Sequence, residues 1–380
     1  MKPQYLYVHV PFCRSICFYC DFCHVGYNRT MAERWLLALQ RELQFYPPSD
    51  HLKTIYIGGG TPTALSSVQL TKLLEMLAPY GRHVQEYTME ANPESLDDEK
   101  AEILSRFGIN RVSLGYQTDD PAQLSFMNRH ADPDTVCRSM ECLRWHGIKN
   151  ISLDLMYSLP GQTLIQLQHE VETALAMNPE HLSLYSLTIA EGTVFASRNV
   201  SPCDPDTEAD MYEWICRRLE EAGYQQYELS NFARKGWQSL HNLAYWHYED
   251  FQGLGAGASG KNGSFRYDHS KNLSQYMASP ASRFLIPLTR EDLMFENIMM
   301  NLRLKEGMNR KEFLDRYAIS VDEAYPSSLR LLKQSGLIEE DDEMIRATDH
   351  GYEILNDVLE VFLDEGSSEK LNSTLEGKWK

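Results

Sequence analysis

Short segments in which apolar and polar residues alternate recur along the first half of the chain and predict β-strands. The first of them is YLYVHV, Tyr5–Val10. Five further strand-then-loop segments contain KTIYIGGGTPT, EYTMEANPE, NRVSLGYQT, NISLDLMYSLPGQT and HLSLYSLT. Amphipathic helical patterns lie between the strands, among them Thr30–Gln44 and Val68–Leu77. Strands that alternate with helices predict right-handed βαβ units and a parallel sheet.

The number of these units predicts the fold class. Six of them fit before about Leu187, which favours an α/β fold built as a partial (β/α)6 TIM-like barrel. A doubly wound open sheet is the alternative. The polar motifs come directly after predicted strands, and barrels carry their chemistry at the C-terminal ends of their strands.

The second half of the chain is irregular at first and then rich in helices. Turn clusters such as SPCDPD and ARKGWQS are followed, from Arg290, by a helix pair, a third helix and a short hairpin (GLIEE…MIRATD). This order predicts a helical, winged-helix-like domain. We therefore predict a barrel core over 1–235, a connecting region over 236–289 and a helical C-terminal domain over 290–380. The last residues, SSEKLNSTLEGKWK, are predicted to form a mobile tail.

The acidic composition argues against nucleic-acid binding. The chain of 380 residues carries 36 Lys and Arg against 54 Asp and Glu, a formal net charge of −18, and such a surface repels phosphate backbones. Winged-helix modules often bind DNA, but here Glu339–Glu343 (EEDDE) lies where a basic wing would be needed. A packing role is therefore favoured for this domain.

The sequence also indicates a cytoplasmic protein. Its start, MKPQYLYVHVPF, lacks the basic residues and the long apolar run of a signal peptide. No apolar stretch approaches the roughly 18 residues that a membrane helix needs. In a reducing cytosol, clustered thiols more often bind metal than form disulfides.

Half of the eight cysteines lie close together near the start of the chain. Cys13, Cys17, Cys20 and Cys23 have the spacing C-x3-C-x2-C-x2-C. Structural zinc sites usually draw their ligands from two knuckles that are a dozen or more residues apart. A compact run of cysteines in one loop is more typical of iron–sulfur ligation, and a zinc loop is the alternative.

Polar residues and glycines stand at or near the ends of the predicted strands. The turn GGGTPT, Gly58–Thr63, allows the backbone to approach a ligand closely. The following segments supply Glu90, Gln117, Arg129 and Asp154. Together they offer partners for an amine, for a carboxylate through a bidentate arginine, and for a ribose through Asp154 or Gln117.

The motifs LYVHVPFC, GGGTPT, EANPE, SLGYQT, DLMYSLPGQT and YELSNFARKGWQSLHNLAYW resemble those of the oxygen-independent coproporphyrinogen III dehydrogenase family of radical S-adenosylmethionine (SAM) proteins. The likeness runs from Tyr5 to about Leu363. It implies that Cys13, Cys17 and Cys20 hold three irons of a [4Fe–4S] cluster whose fourth iron is left for SAM. Cys23 is therefore not expected to be a ligand, because a fourth thiolate would exclude SAM.

The resemblance also assigns a set of SAM-contacting residues by match to the family's motifs, with the cluster and SAM held in the barrel core. These residues are Tyr7, Gly59, Gly60, Thr61, Glu90, Gln117, Arg129 and Asp154.

Three features favour the haem-chaperone branch of this family over the dehydrogenases. The dehydrogenases have an N-terminal extension before the cysteines, whereas twelve residues precede Cys13 here. Their cysteines have the spacing C-x3-C-x2-C-x-C, whereas those of this chain have the spacing C-x3-C-x2-C-x2-C. The stretch HNLAYW, His241–Trp246, matches a haem-associated motif of the chaperone branch. The resemblance implies that His241 ligates haem iron and that Tyr245 and Trp246 offer apolar faces to the macrocycle.

The leading hypothesis is a haem chaperone that binds a [4Fe–4S] cluster, SAM and haem and hands haem to acceptor proteins, with membrane-associated respiratory proteins among the candidates. The alternative is an enzyme, an oxygen-independent coproporphyrinogen III dehydrogenase that forms protoporphyrinogen IX by radical SAM oxidative decarboxylation. A zinc-bound interaction scaffold is a minor alternative. The sequence leaves open the haem acceptor, the role of Cys23, whether SAM is cleaved and whether the protein forms a homodimer.

Overall fold

The computed structural model of the protein describes residues 2–363 and residue 365. The predicted tail, SSEKLNSTLEGKWK, lies outside the described residues. None of the described helices combines the length and the apolar character that crossing a bilayer requires.

Six parallel strands form the centre of the main sheet. They are β1 (Tyr5–Val10), β2 (Thr54–Gly59), β3 (Glu86–Ala91), β4 (Arg111–Gln117), β5 (Asn150–Tyr157) and β6 (His181–Ser186). They hydrogen-bond in chain order, each parallel to the next. A doubly wound sheet reverses its strand order at a switch point, and these six strands do not. The predicted partial (β/α)6 barrel is therefore confirmed.

Helices connect the six strands and cover the outside of the sheet. They are α1 (Arg29–Phe45), α2 (Ser67–Gly81), α3 (Asp98–Arg106), α4 (Pro121–Phe126), α5 (Pro133–Trp145) and α6 (Leu164–Ala176). Their starts follow local chemistry, since Asn28 accepts a hydrogen bond from the Met31 N–H and Ser66 forms a capping box with Gln69. Two 3-10 turns, Pro62–Ala64 and Pro93–Ser95, follow β2 and β3.

Further elements follow the sixth unit and extend the sheet at both edges. The helices are α7 (Val194–Ser197), α8 (Pro205–Glu221), α9 (Leu240–Trp246) and α10 (Leu273–Ala278). The strands are β7 (Gln225–Gln226), β8 (Asn231–Ala233), β9 (Phe251–Leu254), β10 (Ser259–Asn262), β11 (Phe265–Asp268) and β12 (Phe284–Pro287). Strand β9 lies parallel to β1, and β8 lies antiparallel to β6.

The two faces of the barrel strands differ in chemistry. Alternate residues such as Leu6, Val8 and Ile57 join a large apolar core with the surrounding helices. The other face carries polar side chains that hydrogen-bond to one another, for example Ser152 Oγ to His181 Nδ1 at 2.8 Å. TIM barrels usually fill this interior with branched apolar residues. A polar interior instead provides charged and hydrogen-bonding groups for a site.

The chain divides into two compact units. The first comprises Met1–Gln226, Ser230–His241 and Asp250–Ile286, and the second comprises Tyr227–Leu229, Asn242–Glu249 and Pro287–Lys380. The predicted connecting region, 236–289, is thus shared between them. The three predicted domain ranges stay a prediction.

The second unit contains the predicted helices and hairpin. Its helices are α11 (Arg290–Asn301), α12 (Arg310–Tyr317), α13 (Val321–Ala324), α14 (Pro326–Gln334), α15 (Asp349–Glu353) and α16 (Leu355–Leu363). Its strands are β13 (Met308–Asn309), β14 (Ile338–Glu340) and β15 (Met344–Ala347), with β15 antiparallel to both others. Helices followed by this hairpin match the predicted winged-helix-like pattern. Glu340 pairs with Arg310 and Lys333, so part of the acidic stretch has a structural role.

Candidate functional site

The cysteine loop follows β1 and is fastened at both ends. Phe12–Cys13 pairs with Val25–Gly26 in a short parallel ladder. Phe12 is fully buried and packs edge-on against Trp35 of α1, with ring centroids 5.8 Å apart. These contacts fix the position of Cys13 below the turn after β2, where the Thr61 hydroxyl lies 3.8 Å from its Sγ.

The thiols of Cys13, Cys17 and Cys20 lie close enough to influence one another. Burial, together with the smaller effects of the neighbouring Cys17 and Cys20, raises the pKa of Cys13 to about 12. Burial likewise raises the pKa of Cys20 to about 11, and Cys17 contributes in the same direction. These thiols are free of disulfides. They fit a metal cluster chemically, because bound metal supplies the positive charge that three adjacent thiolates need.

Cys23 points elsewhere. Its Sγ lies 3.2 Å from the carbonyl oxygen of Lys271 and donates to it. A Cβ at Gly257 would lie 2.6 Å from the Cys23 Cβ, so this segment packs tightly against Cys23. Its thiol thus contacts the segments around β11. This placement agrees with the expectation that Cys23 is not a ligand, which stays a prediction.

The glycine turn passes directly over the cysteine loop. A Cβ at Gly60 would lie 2.8 Å from the Phe12 carbonyl oxygen and 2.9 Å from Cys13 Sγ, so any larger residue would displace the loop. Gly59 adopts a φ of +114°, which strongly favours glycine. On the neighbouring strand, the hydroxyl of Tyr7 lies 3.0 Å from His9 Nδ1.

Glu90 lies at the end of β3 and is held from β2. The Tyr56 hydroxyl donates to Glu90 Oε1 at 2.8 Å, and the Gly59 N–H donates to Oε2 at 3.0 Å. Burial raises the pKa of Glu90 to about 7, although the hydrogen bond from Tyr56 lowers it. Tyr56 was not among the site residues predicted from the sequence. Its signal was the two-residue period of β2, which places Thr54, Tyr56 and Gly58 on one face.

Arg129 brings positive charge to the cysteines. Its Nη1 lies 3.8 Å from Cys17 Sγ and donates to Asn92 Oδ1 at 2.9 Å, while Nη2 donates to the Gly115 carbonyl at 2.7 Å. Its Nε is buried, with no hydrogen-bond partner among the described residues. A Cβ at Gly115 would lie 2.5 Å from Nη2. Asn92 and Gly115 were not singled out, although both lie in the quoted motifs.

Gln117 and Asp154 stand on neighbouring strands of the same interior. Gln117 has a φ of 67° at a break in the register between β4 and β5, and such irregularities often turn a side chain toward a functional site. Both carboxylate oxygens of Asp154 accept from the Ser113 hydroxyl at 2.9 Å. Burial raises the pKa of Asp154, and these hydrogen bonds oppose that shift.

His241 lies apart from the strand ends, at the start of the barrel strands. His241 is 1% exposed, and its Nδ1 lies 2.6 Å from the hydroxyl of Thr54, the first residue of β2. Its ring stacks on Tyr56 with centroids 5.1 Å apart and planes inclined by 29°. Burial lowers its pKa to about 3, so the ring is neutral. Haem iron cannot reach either ring nitrogen in this conformation.

The structure thus brings most of the predicted site residues together around the cysteine loop and the strand ends, and it places His241 apart from them. Contacts among the described residues link Thr61 and Arg129 to the cysteines, and Gly59 to Glu90. Asp154 raises the pKa of Glu90 through charge repulsion, so these two carboxylates face the same interior. The ring of His241 stacks on Tyr56, whose hydroxyl donates to Glu90.

Two family models match the chain. The one described as "Radical SAM superfamily" matches residues 7–174, and the one described as "HemN C-terminal domain" matches residues 288–354. The first covers the cysteine loop and five of the six barrel strands. The second lies within the second compact unit.

Two proteins that are similar to this chain along nearly their whole length carry the same name. The "Heme chaperone HemW" of Bacillus subtilis is 38% identical over 377 residues, covering 94% of this chain and 99% of its own. The "Heme chaperone HemW" of Escherichia coli is 34% identical over 379 residues, covering 96% of this chain and 99% of its own.

A solved structure has the same fold. It is described as "Coproporphyrinogen III oxidase (HemN) from Escherichia coli is a Radical SAM enzyme", with a TM-score of 0.82, 22% identity and coverage of 95% of this chain and 90% of that one.

Proposed function

The chain belongs to the HemW family of radical SAM proteins, and we propose that it is a haem chaperone that binds a [4Fe–4S] cluster, SAM and haem and delivers haem to acceptor proteins. One observation carries the choice of function. Relatives named "Heme chaperone HemW" match nearly the whole chain at 38% and 34% identity, whereas the likeness to the solved oxidase, at 22% identity, shows the fold alone. The cytoplasm is the proposed compartment.

We propose that Cys13, Cys17 and Cys20 hold the cluster. The support is their mutual proximity, the charge of Arg129 beside Cys17 and the different orientation of Cys23. When bound, the cluster would supply an iron with an open coordination position. The chain's own contribution is to exclude a fourth thiolate from that position.

For SAM, we propose that Glu90 binds the amino group and that Arg129 binds the carboxylate. The buried, unsatisfied Nε of Arg129 supports this role, since Nη1 and Nη2 donate to protein oxygens. Asp154 or Gln117 would hold the ribose. The remaining predicted contacts come from residues near the cysteine loop, namely Tyr7, Gly59, Gly60 and Thr61.

SAM affinity is expected to fall as the pH drops through about 7. Neutral Glu90 loses its attraction for the cationic amine, and its pKa is raised to about 7 by burial. Between pH 7 and pH 5.5 the dissociation constant should rise roughly tenfold. Anaerobic calorimetric titration of SAM into cluster-loaded protein measures this. In Glu90→Gln the affinity should be weaker at pH 7 and nearly independent of pH, and an unchanged pH profile in that variant would refute the assignment.

The raised pKa of Glu90 also makes the stability of the folded protein depend on pH. The folded state binds a proton at Glu90 more tightly than the unfolded chain does. The contribution of Glu90 to the free energy of unfolding therefore falls as the pH rises from about 4.5 to about 7.

Haem titration tests the chaperone function and the proposed ligand together. We expect wild-type protein to bind haem stoichiometrically in optical difference spectra, and His241→Ala to bind it at least tenfold more weakly because the iron ligand is removed. His146→Ala is the matched control, since His146 pairs with Asp98 on the outer helices at 2.8 Å. No specific binding by wild-type protein would contradict the proposed function.

The second candidate is the dehydrogenase, and likeness of fold does not choose between the two functions. The solved coproporphyrinogen III oxidase has the same fold over 95% of this chain, with a TM-score of 0.82. Anaerobic incubation of cluster-loaded protein with SAM, a reductant and coproporphyrinogen III distinguishes the two. Turnover to protoporphyrinogen IX would overturn a function restricted to haem delivery.

A further inference from the structure

We propose that Asp98, Cys142 and His146 form a Zn²⁺ site between helices α3 and α5, on the outside of the barrel. The ligand atoms of these three side chains all lie within 4.8 Å of one another. The site is separate from the cysteine loop, and it uses none of the residues proposed to bind the cluster, SAM or haem. It is therefore independent of the proposed function.

Two neighbouring helices bring the three side chains together. Asp98 is the first residue of α3, Cys142 lies in the last turn of α5, and His146 directly follows that helix. Residues four positions apart at a helix end lie on the same face, so the thiol and the imidazole face the start of α3 together. The site thus depends on the packing of α3 against α5, which the sequence spacing alone does not indicate.

One carboxylate oxygen is the common partner of the other two groups. His146 Nε2 lies 2.8 Å from Asp98 Oδ1, and the Cys142 thiol donates to the same oxygen at 3.8 Å. Ligand atoms around a tetrahedral Zn²⁺ are about 3.3 to 3.6 Å apart, since the metal–ligand distances are about 2.0 to 2.3 Å. Small side-chain rotations are therefore enough for the three groups to surround an ion.

The donor set is typical of zinc. A thiolate, an imidazole nitrogen and a carboxylate oxygen are the usual protein ligands of Zn²⁺, whereas Mg²⁺ and Ca²⁺ prefer sites made of oxygen atoms alone. When the ion binds, the Cys142 thiol releases its proton to solvent, and His146 binds through Nε2 with its proton on Nδ1. Three protein ligands leave the fourth tetrahedral position to a water molecule.

The site is open to ions on one side and held by protein contacts on the other. The Asp98 side chain is 80% exposed, whereas that of His146 is 16% exposed, so an ion can enter from the carboxylate side. The Ser105 hydroxyl of α3 donates to the His146 carbonyl at 2.6 Å and fixes the end of α5 against α3. Asp97 adds negative charge near the Cys142 thiol. Fixed ligands and a negative surrounding both favour binding of a cation.

Zinc binding is tested on the cluster-loaded, full-length protein, with Zn²⁺ alone as the probe at free concentrations set by a chelator. Equilibrium dialysis with metal analysis counts the zinc bound per chain. X-ray absorption at the zinc edge counts the sulfur atoms around the ion, and the iron of the cluster does not contribute to that edge. The variants are Cys142→Ala and Asp98→Asn. Cys137→Ala is the matched control, because Cys137 is another partly buried thiol of α5 that lies outside the trio.

We expect wild type and Cys137→Ala to bind one Zn²⁺ per chain, with one sulfur neighbour at about 2.3 Å and nitrogen or oxygen neighbours at about 2.0 Å. Cys142→Ala should bind zinc about 100-fold more weakly, and Asp98→Asn about tenfold more weakly, because each loses one anionic ligand. Zinc should also raise the midpoint of thermal unfolding of wild type and Cys137→Ala, since it binds the folded state, and should leave that of Cys142→Ala unchanged.

Three results would overturn the proposal. One is equal zinc uptake by wild type and Cys142→Ala, and another is no uptake by wild type at about 100 μM free Zn²⁺, which would show that the trio forms only an ion pair. The third is zinc with three sulfur neighbours, which would place the ion in the cysteine loop.

The zinc result and the haem result can be told apart. A failure of wild type to bind haem would contradict the proposed function and leave the zinc measurements unaffected. Haem titrations of wild type and of His146→Ala are made with a zinc chelator present, so that neither protein holds zinc between α3 and α5.

Discussion

Replacing Cys17 with alanine is expected to abolish the visible absorption of the reconstituted cluster. Cys17 lies between the other two thiols in sequence and influences the pKa of both, and its Sγ lies 3.8 Å from Arg129 Nη1. Two thiolates cannot hold a cluster that requires three protein ligands. Iron and sulfide content together with the absorption spectrum measure the loss, which should be nearly complete.

Cys23→Ala provides the matched control in the same loop. The Cys23 thiol donates to the Lys271 carbonyl, so its removal costs one hydrogen bond, and full cluster content is expected. Loss of the cluster in this variant would show that four thiols bind it and that the three-ligand assignment is wrong. Retention of the cluster in Cys17→Ala would show that Cys17 is not one of the three ligands.

Replacing Arg129 with alanine is expected to lower SAM affinity about 100-fold, because a buried charged partner of the carboxylate is lost. The change also leaves Asn92 Oδ1 and the Gly115 carbonyl without the donors that now bind them. Buried acceptors without partners should lower the free energy of unfolding by about 2 kcal/mol or more. Calorimetric SAM titration and denaturant unfolding measure the two effects.

Arg129→Lys separates charge from geometry. Lysine keeps the positive charge but cannot reproduce the planar set of donors, so SAM affinity should recover only in part. Arg29→Ala, on an exposed arginine that pairs with Glu33 at 3.4 Å, is the control and should leave both quantities unchanged. Wild-type SAM affinity in Arg129→Ala would refute the proposed carboxylate contact.

Much of the fold could be predicted from the sequence because its signals are local. The alternation in YLYVHV predicted β1, and the amphipathic stretch Thr30–Gln44 predicted α1 at Arg29–Phe45 to within one residue at each end. The count of six strand-then-loop segments predicted the barrel. The added strands β9 to β12 were missed, because their short lengths and glycine-rich sequence give weak periodicity.

The candidate site was predictable where its residues lie within one motif. Glu90 and the glycine turn each follow a strand, and the compact cysteine spacing itself indicates a metal cluster. The motifs could not indicate which other residues contact these groups and hold them in place. Tyr56, Asn92 and Gly115 matter because of what they touch, and no pattern within their own segments specifies those partners.

By itself the sequence determined the order of strands and helices, the cysteine loop and the identity of most polar groups at the strand ends, because these depend on neighbours within a few residues. Only the tertiary structure decided which groups meet. It brings Arg129 to Cys17 across 112 residues and His241 to Thr54 across 187, and it turns Cys23 away from the other three thiols. Such contacts depend on how the sheet curves and how the helices pack against it, which one-dimensional spacing does not encode.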